Sequence, residues 1–335
     1  MYKTILITGA NGEIGHGLIK KLTEDGKNKI VALDINSLDS SFSKPTLQFI
    51  KGDILDNKLI STLFEKYKFD TIFHLAALLS TSSERDPVRA HHVNTDGAIN
   101  ILYHAENFAR KTQKKVAFVF PSSIAIYGLP NLAIKAKIGK IKEDQHNLPT
   151  TMYGCNKLYI ELLGNYYARY YEKHKKSDQF LDFRAIRFPG IISADTLPTG
   201  GTSDFGPEML HAAARNKPYE CFVRSDTKIP FMAMPDAVKA LIQLSEAPKS
   251  NLLHNVYNVG SFSLSVKEIE GYARKLLHPI KVTYRPHHKR QSIVDSWPED
   301  VDDSKARADW SWKAVLNQER AFLDYLVPTI KARYS

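Results

Sequence analysis

The sequence is poor in cysteine and contains no long apolar run. Its 335 residues include only two cysteines, Cys155 and Cys221, which excludes a disulfide framework and fits no zinc spacing. We expect both to be small core residues, and we expect no metal site. The runs VAFVF and TIFHLAALL are far shorter than the roughly 20 residues of a membrane helix, and no charged and apolar leader precedes the first apolar run. These features predict a cytoplasmic protein that contacts no membrane.

Acidic residues are fewer than basic ones. The chain has 46 Lys and Arg against 36 Asp and Glu, a formal net charge of +10. Clustered cations would indicate a nucleic-acid surface. Here the basic residues are spread out, with short clusters only at residues 174–176 and 287–290. We therefore predict a solvated basic surface that attracts an anionic small molecule, and no nucleic-acid partner.

The first half alternates short apolar runs with helical patterns. The predicted strands are TILITG, KIVALD, LQFIKGD, TIFHLAA and KVAFVFPSS. DFRAIRFPGII reads as one further central strand, and its Pro-Gly pair marks the exit into a loop. Near-continuous apolar strands separated by helices are typical of βαβ units. The predicted fold class is therefore α/β, with a doubly wound parallel sheet of the Rossmann type.

The second half is less regular. Helices are predicted at FGPEMLHAAARN, MPDAVKALIQLSEA, SVKEIEGYARKLL and QERAFLDYLVPTIKARY, behind a loop rich in Gly, Pro and Thr. We predict that residues 1–190 mainly form the Rossmann domain, including the helix that begins near Thr150. Residues 191–335 would mainly form a smaller cap, with some segments returning to the Rossmann domain.

A glycine-rich loop directly follows the first strand. Its glycines permit a tight turn and close backbone approach to a pyrophosphate at the start of a helix. The predicted cofactor residues of this loop are Gly9, Asn11, Gly12, Ile14 and Gly15. Asp34 closes the second strand about 20 residues further on, where an acid bonds ribose hydroxyls and repels a 2′-phosphate. The pattern predicts NAD rather than NADP, with Asp53 and Ile54 near the adenine.

A tyrosine and a lysine lie four residues apart in PTTMYGCNKLYIELL. On a helix Tyr153 and Lys157 would share one face. A nearby ammonium favours the phenolate and lowers the pKa of the phenol, which makes Tyr153 a candidate general base. Ser123, at the end of the predicted strand KVAFVFPSS, is the candidate donor to the substrate oxygen. A turn or capping role is the alternative for this serine.

The glycine loop, HLAA, the strand-end serine and the YxxxK pair occur here in that order. In this the chain resembles the extended short-chain dehydrogenase/reductase superfamily over nearly its whole length. The resemblance implies NAD at the carboxyl ends of the strands, with Lys157 bonding the nicotinamide ribose. The further cofactor residues that it implies are Leu75, Ala76, Ala77, Asn94, Tyr153 and Pro189.

Later blocks are more specific. RFPGIIS, GGTSD, IPFMAMPDAVKAL and DSWPEDVDDSKARADWSW resemble, in order, the short-chain L-threonine 3-dehydrogenase family. The resemblance implies NAD-dependent oxidation of the L-threonine C3 hydroxyl to 2-amino-3-oxobutyrate. Asp204 is the candidate acceptor for the substrate ammonium, and Ser80 and Thr202 are candidate hydrogen-bond partners beside Ser123 and Tyr153. Capping and turn roles are their alternatives.

Two other functions stay open on sequence alone. A sugar-nucleotide epimerase would keep the same Ser123, Tyr153 and Lys157 but need a broad cap for a nucleoside diphosphate. A regulatory NAD-binding protein without turnover would have no use for these three side chains. The aromatic-rich helix YIELLGNYYARYY favours a homodimer, with burial in the core as the alternative. Arg187 has two possible roles on sequence alone, which are a contact to a substrate carboxylate and a contact within the scaffold.

Overall fold

A parallel sheet of seven strands forms the centre of the molecule. A computed structural model describes residues 3–24, 26–42, 44, 46–171, 180–198 and 200–334. Its strands are, in chain order, β1 (Lys3–Thr8), β2 (Asn28–Asp34), β3 (Leu47–Lys51), β4 (Thr71–His74), β5 (Val116–Ser123), β6 (Lys140–Ile141), β7 (Leu181–Phe188), β8 (Gly190–Ile192), β9 (Tyr219–Cys221), β10 (Lys228–Ala233), β11 (Val256–Asn258), β12 (Phe262–Ser265), β13 (Val282–Tyr284) and β14 (Asp300–Val301). The large sheet has the order β11-β7-β5-β4-β1-β2-β3, and all its pairs are parallel.

Helices cover both faces of this sheet. They are α1 (Glu13–Thr23), α2 (Asn57–Lys66), α3 (Ser80–Arg85), α4 (Pro87–His91), α5 (Gly97–Thr112), α6 (Leu132–Ile138), α7 (Met152–Arg169), α8 (Phe205–Ala214), α9 (Met234–Glu246), α10 (Val266–Leu276), α11 (His288–Ser296), α12 (Ser304–Trp310), α13 (Gln318–Arg320) and α14 (Val327–Tyr334). Helices α1 and α9 pack together on one face, while α2, α5 and α7 pack on the other. Because the strands are buried from both sides, they read as near-continuous apolar runs. The predicted doubly wound α/β fold is confirmed.

The predicted exit of the strand DFRAIRFPGII at its Pro-Gly pair is confirmed, but the chain continues there into another strand and not into a loop. β7 ends at Phe188, and β8 pairs with β10 in a separate three-stranded sheet with β12. Pro189 lies between the two strands, and proline has no N–H to continue a hydrogen-bonded ladder. The chain therefore leaves the large sheet at this residue and enters the second sheet.

The chain after residue 190 contributes to both layers. β11 is the edge strand of the large sheet, paired with β7, and α9 packs on α1. Helices α8, α10 and α14 surround a second apolar core, which lies beside the three-stranded sheet. The domain division at residue 190 stays a prediction, and the return of segments to the large sheet is visible in β11.

Two expectations about single side chains are wrong. Cys221 is buried, but Cys155 is exposed because it lies on the outward side of α7. In the basic cluster 287–290, Arg290 lies 3.2 Å from the ring centroid of Phe222 and is not a solvated surface charge. The other cluster, residues 174–176, lies outside the described residues. Within the described ranges no helix is long and apolar enough to cross a membrane.

Strand β5 extends beyond its neighbour β4. The register between them ends with Phe73 opposite Val119, whereas β5 continues beside β7 up to Ser123 opposite Phe188. The last residues of β5 therefore have a strand on one side only. Their other side is left open to helix α7, which packs against β5.

Candidate active site

The glycine loop (residues 9–15) packs against the end of β4 by backbone contact. Gly9 has φ +68°, and a Cβ there would lie 2.5 Å from the backbone nitrogen of Ala76. A Cβ on Gly15 would lie 2.4 Å from the carbonyl oxygen of Ala10. Gly12 is the N-cap of α1 and its backbone N–H donates to the carbonyl of Gly9 at 3.1 Å. Only residues without a side chain allow this close turn in front of a helix N-terminus.

Asp34 closes β2 beside this loop. Its Oδ2 accepts a hydrogen bond from the backbone N–H of Asn11 at 2.9 Å, which brings together two predicted cofactor residues. The Asn11 side chain is in turn 3.0 Å from His16 Nε2. Ile14, on the first turn of α1, is partly buried against the core of that face of the sheet. The glycine loop, the Asp34 carboxylate and the N-terminus of α1 therefore lie together at the carboxyl ends of the strands.

The remaining predicted adenine residues follow β3. The N–H of Gly52 donates to the Asp34 carbonyl at 2.9 Å, so residues 53 and 54 leave the sheet next to Asp34. Asp53 is exposed and its Oδ1 accepts from the N–H of Leu55 at 2.9 Å, whereas Ile54 is buried. Asp53 therefore shapes the turn, and Ile54 closes the apolar floor beneath it.

Residues 75–77 continue β4 into the same edge. The N–H of Leu75 donates to the Thr8 carbonyl at 3.0 Å, and Ala77 follows before α3. Asn94 is buried in a π-helical turn between α4 and α5, where its Oδ1 accepts from Leu78 N at 2.7 Å and its Nδ2 donates to Leu78 O at 3.0 Å. The side-chain amide of Asn94 therefore forms two hydrogen bonds to the backbone of Leu78, directly after HLAA, and fixes the chain at the end of β4. Pro189 is buried at the end of β7.

Helix α7 carries the predicted reactive pair. It begins after Thr151, whose side chain accepts from Gly154 N at 3.1 Å, in agreement with the predicted start near Thr150. Lys157 Nζ donates to the carbonyl of Pro121 at 2.7 Å and lies 5.4 Å from the ring centroid of Tyr153. The two side chains share one face of the helix. A Cβ on Gly154 would lie 2.1 Å from the Ala125 carbonyl oxygen, so glycine allows α7 to approach the turn after Ser123.

The protonation of this pair differs from the expectation. Burial lowers the pKa of Lys157 to about 7, opposed by the charge of Glu161. Burial also raises the pKa of the Tyr153 phenol. In the protein without cofactor, the effect of burial on this pKa therefore exceeds that of the neighbouring lysine. Burial lowers the pKa of His74, beneath the pair, to about 3, and Lys157 adds to this effect. A positive charge beside a phenol favours the phenolate, and the oxidised nicotinamide of a bound cofactor would add its charge to that of Lys157.

Ser123 is the last residue of β5. Its Oγ accepts from the N–H of Ala125 at 3.1 Å, which is the turn role weighed from the sequence. This bond uses an oxygen lone pair and leaves the hydroxyl proton available for donation. The capping role and the donor role are therefore compatible at this residue.

The predicted substrate residues meet around the cap loop (residues 200–204). Ser80 and Thr202 are both buried and their hydroxyl oxygens are 3.0 Å apart. Thr81 donates to the Gly200 carbonyl at 2.7 Å. Asp204 is the N-cap residue of α8, but its Oδ2 accepts from the N–H groups of Gly200 and Gly201, at 2.9 and 2.6 Å. The loop is thereby attached both to α3 and to its own helix.

Sequence reasoning missed two further anchors of this region. Arg290 Nη2 donates to the Gly201 carbonyl at 2.5 Å, from α11 on the far side of the cap loop. Glu13, inside the glycine loop, accepts a hydrogen bond from Thr196. Burial raises the pKa of Glu13, and the charges of Asp204 and Asp195 raise it further. The position of Glu13 within the glycine motif was a signal that could have identified it, whereas nothing local points to Arg290.

Arg187 belongs to the scaffold. Its Nη2 is 2.6 Å from Glu161 Oε2, and both side chains are almost fully buried. Its Nη1 donates to the Tyr127 hydroxyl at 3.0 Å and to the Glu143 carbonyl at 2.7 Å. These bonds settle the alternative left open from the sequence. No group of three or more His, Cys, Asp or Glu side chains suited to a metal ion occurs in the described part of the chain.

The edge fits a dinucleotide. Gly9 and Gly15 leave a cradle that a Cβ would fill, and the 11-residue helix α1 begins there without a side-chain cap. Unpaired N–H groups at a helix start favour a pyrophosphate, and Asp34 is placed for ribose hydroxyls. Tyr153, Lys157 and Ser123 lie at the carboxyl ends of the same strands, where ligands of doubly wound sheets bind.

Comparison with known proteins agrees with this geometry. The family model described as "NAD dependent epimerase/dehydratase family" matches residues 5–260. A bovine mitochondrial L-threonine 3-dehydrogenase is 35% identical over 319 residues, 92% of this chain and 78% of that protein. The structure of a Clostridium difficile L-threonine dehydrogenase superposes with TM-score 0.86 at 33% identity, covering 99% of this chain and 98% of the other. A monomeric L-threonine 3-dehydrogenase from a metagenome superposes with TM-score 0.85 at 32% identity, covering 99% and 100%.

The predicted resemblance is confirmed by these matches, and NAD, the predicted cofactor, is the one that the family description names. The matched range contains the glycine loop, Ser123, Tyr153, Lys157 and the cap loop. With its sheet, its glycine loop and its reactive pair in place, the chain belongs to the NAD dependent epimerase/dehydratase family.

Proposed function

We propose that this protein is an NAD-dependent dehydrogenase that oxidises the C3 hydroxyl of L-threonine to 2-amino-3-oxobutyrate. The observation that carries the proposal is the position of Lys157, which is bonded to the end of β5 and faces the Tyr153 ring, next to Ser123. The relatives named L-threonine 3-dehydrogenase support the same reaction.

Each side chain has one role in this proposal. The Ser123 hydroxyl donates to the oxygen on C3, and the Tyr153 phenolate accepts the proton of that hydroxyl. The Lys157 ammonium stabilises the phenolate and would hold the nicotinamide ribose of NAD. NAD, when bound, supplies the acceptor for the hydride that leaves C3. The proton released from the substrate passes to Tyr153 and then to solvent.

The cap loop supplies the amino-acid end of the site. A zwitterion needs a negative charge for its ammonium and donors for its carboxylate. We assign the ammonium to Asp204, whose bonds to Gly200 and Gly201 hold the carboxylate in place. The Ser80 and Thr202 hydroxyls, now bonded to each other, would donate to the other polar groups.

A sugar-nucleotide epimerase is the second candidate, since the family name covers it. It would require space in the cap for a nucleoside diphosphate. Here the cap loop is tied to α3 through Ser80 and Thr81 and to α11 through Arg290. This close attachment favours a small substrate.

The deciding experiment is a substrate panel followed by NADH absorbance. L-threonine, L-serine, L-allo-threonine and UDP-sugars are each supplied with NAD. We expect NADH in large excess over enzyme with L-threonine and none with UDP-sugars. Interconversion of UDP-sugars without net NADH would replace this proposal with the epimerase.

We also propose that the protein forms a homodimer in the cytoplasm. Helix α7 exposes Tyr159, Leu162 and Tyr166 on one side, and neighbouring exposed apolar side chains of this kind can form a protein–protein interface. One similar structure is described as monomeric, so sedimentation of the wild type and of Leu162→Lys is the test. A monomer in both would overturn the dimer.

A further inference from the structure

Two consecutive residues at the end of β5, Pro121 and Ser122, are bonded to helix α7. The Pro121 carbonyl accepts from Lys157 Nζ at 2.7 Å. The Ser122 hydroxyl donates to the carboxylate of Glu161. Ser123 follows and carries the hydroxyl assigned to the substrate oxygen. Helix α7 is therefore attached to the strand at two adjacent residues, immediately before the reactive serine.

Glu161 is held from a second side. Arg187, opposite Ser122 in the neighbouring strand β7, donates from Nε to Glu161 Oε1 at 2.9 Å and from Nη2 to Oε2 at 2.6 Å. The exposed fraction of the Glu161 side chain is 3% and that of Arg187 is 4%, so solvent does not screen the pair. A two-pronged bond of this kind fixes the orientation of the carboxylate as well as its distance.

The stripe Tyr153, Lys157 and Glu161 has a spacing of four residues along one face of α7. Three titratable groups interact with the Lys157 ammonium. Glu161 and Tyr153 lie on the same helix, and His74 lies on β4. Arg187 is the charged group that reaches the stripe from β7. Glu161 is thus the one anion that acts on Lys157 among the described residues, and it is shared with Arg187.

We propose that Ser122 and Glu161 are positioning residues that set the spacing between β5 and α7 and thereby place the Ser123 hydroxyl and the Lys157 ammonium for reaction. Both side chains are buried and would act on the reaction through Ser123 and Lys157. The proposal rests on the proposed dehydrogenase function for its kinetic readout. Small displacements of reacting groups reduce rates strongly, by roughly 10²-fold for 1 Å.

The test uses two variants and one control. Ser122→Ala removes a single hydroxyl from the network, and Glu161→Gln removes the charge while keeping the shape. The control is Asp182→Asn, because Asp182 is the carboxylate partner of Arg184 on the same strand β7, at the end remote from Lys157. All three are purified as full chains and compared with the wild type in kcat, KM for threonine and NAD affinity across pH.

We expect Ser122→Ala to lower kcat about tenfold, with KM and NAD affinity within about twofold of wild type. Glu161→Gln leaves the charge of Arg187 uncompensated beside Lys157, so Lys157 loses its proton at lower pH. The alkaline fall in kcat and in NAD affinity then moves down by about one pH unit. Asp182→Asn is expected to lower thermal stability and to leave kcat and both pH profiles unchanged.

Unchanged kcat in Ser122→Ala, or an equal loss in Asp182→Asn, would overturn the positioning role. If Glu161→Gln does not fold, Ser122→Ala alone decides. NAD binding without oxidation of threonine by the wild type would reject the proposed function only. In that case the positioning role is judged by the pH dependence of NAD affinity, and an unshifted profile in Glu161→Gln rejects it.

Discussion

The glycine loop and the cap loop approach the site in different ways. The glycine loop is placed by backbone contacts, since Gly9 meets Ala76 and Gly15 meets Ala10 without any side chain between them. The cap loop is placed by side chains, through Ser80 with Thr202, Asp204 with two glycine N–H groups, and Arg290 with a carbonyl. Steric requirements of the first kind leave a clear spacing pattern in the sequence. The hydrogen bonds of Ser80 and Arg290 to the cap loop join residues far apart in the chain and leave no such pattern.

The largest effect on kcat is expected from replacing Tyr153, the proposed general base. Tyr153→Phe keeps the ring and removes only the hydroxyl, so kcat should fall by about 10²–10⁴-fold with NAD affinity nearly unchanged. Tyr159→Phe is the matched control, because Tyr159 is exposed on the same helix. Threonine oxidation by Tyr153→Phe at the wild-type rate would remove Tyr153 from the mechanism.

The backbone character of the glycine loop is tested by Gly15→Ala. The added Cβ would lie 2.4 Å from a backbone oxygen, so the turn must shift. We expect NAD binding to weaken about tenfold, and the free energy of unfolding to fall by about 1–3 kcal/mol. Isothermal titration and urea unfolding measure the two.

Gly271→Ala is the control for this substitution. Gly271 is exposed in helix α10, and an added Cβ would meet nothing within 4 Å. Alanine should stabilise the helix by about 0.5–1 kcal/mol and leave NAD binding unchanged. Equal effects of the two changes would contradict the steric account of the glycine loop.

The side-chain character of the cap loop is tested by Asp204→Asn. We expect KM for threonine to rise about tenfold, since a charged hydrogen bond to the ammonium is lost, with a smaller change in NAD affinity. Asp56→Asn is the control, because Asp56 also binds a backbone N–H at a helix start, that of Leu59, but on α2. A KM equal to that of the wild type would leave Asp204 with its structural bonds only.

The last prediction concerns folding stability and not catalysis, and its subject is His74, whose pKa is affected by Lys157. Its folded pKa is about 3 and its unfolded value is near 6.5. In the unfolded chain His74 is therefore protonated below about pH 6.5, whereas in the folded chain it is protonated only below about pH 3. Stability from this group is complete above pH 6.5 and is lost as the pH falls towards 3.

Replacement by asparagine removes this titration and retains a partner for Thr8, whose Oγ1 is 2.8 Å from His74 Nδ1. In urea unfolding between pH 6 and 4, His74→Asn should show a slope flatter by at most about 1.4 kcal/mol per pH unit, one proton's worth. Parallel slopes would mean that His74 titrates equally in both states.

The sequence was sufficient for the features that follow from local periodicity and spacing. The parallel sheet, the glycine loop with Asp34, the start of α7 at Thr151 and the shared face of Tyr153 and Lys157 are of this kind. The exit from the large sheet at Pro189 follows from the Pro-Gly pair, but the strand pairing of residues 190–192 does not, because an apolar run does not reveal which sheet its residues join.

The remaining features depend on the partners that folding supplies. Burial, not a neighbouring charge, dominates the pKa of Tyr153, and burial depends on the whole chain. The bond of Arg290 to the cap loop joins residues 89 positions apart in the chain, and the bond of Arg187 to Glu161 depends on how β7 packs against α7. Neither motif spacing nor composition carries that information.

The unequal lengths of β4 and β5 matter beyond this protein. A proline within a sheet would normally interrupt the ladder, yet at residue 121 the neighbouring strand has already ended, and the carbonyl is taken by an ammonium instead. Anyone transplanting the serine, tyrosine and lysine into another scaffold would have to copy this stagger of strand ends too. Without it the lysine would have no anchoring oxygen, and the three side chains would be present but unsupported.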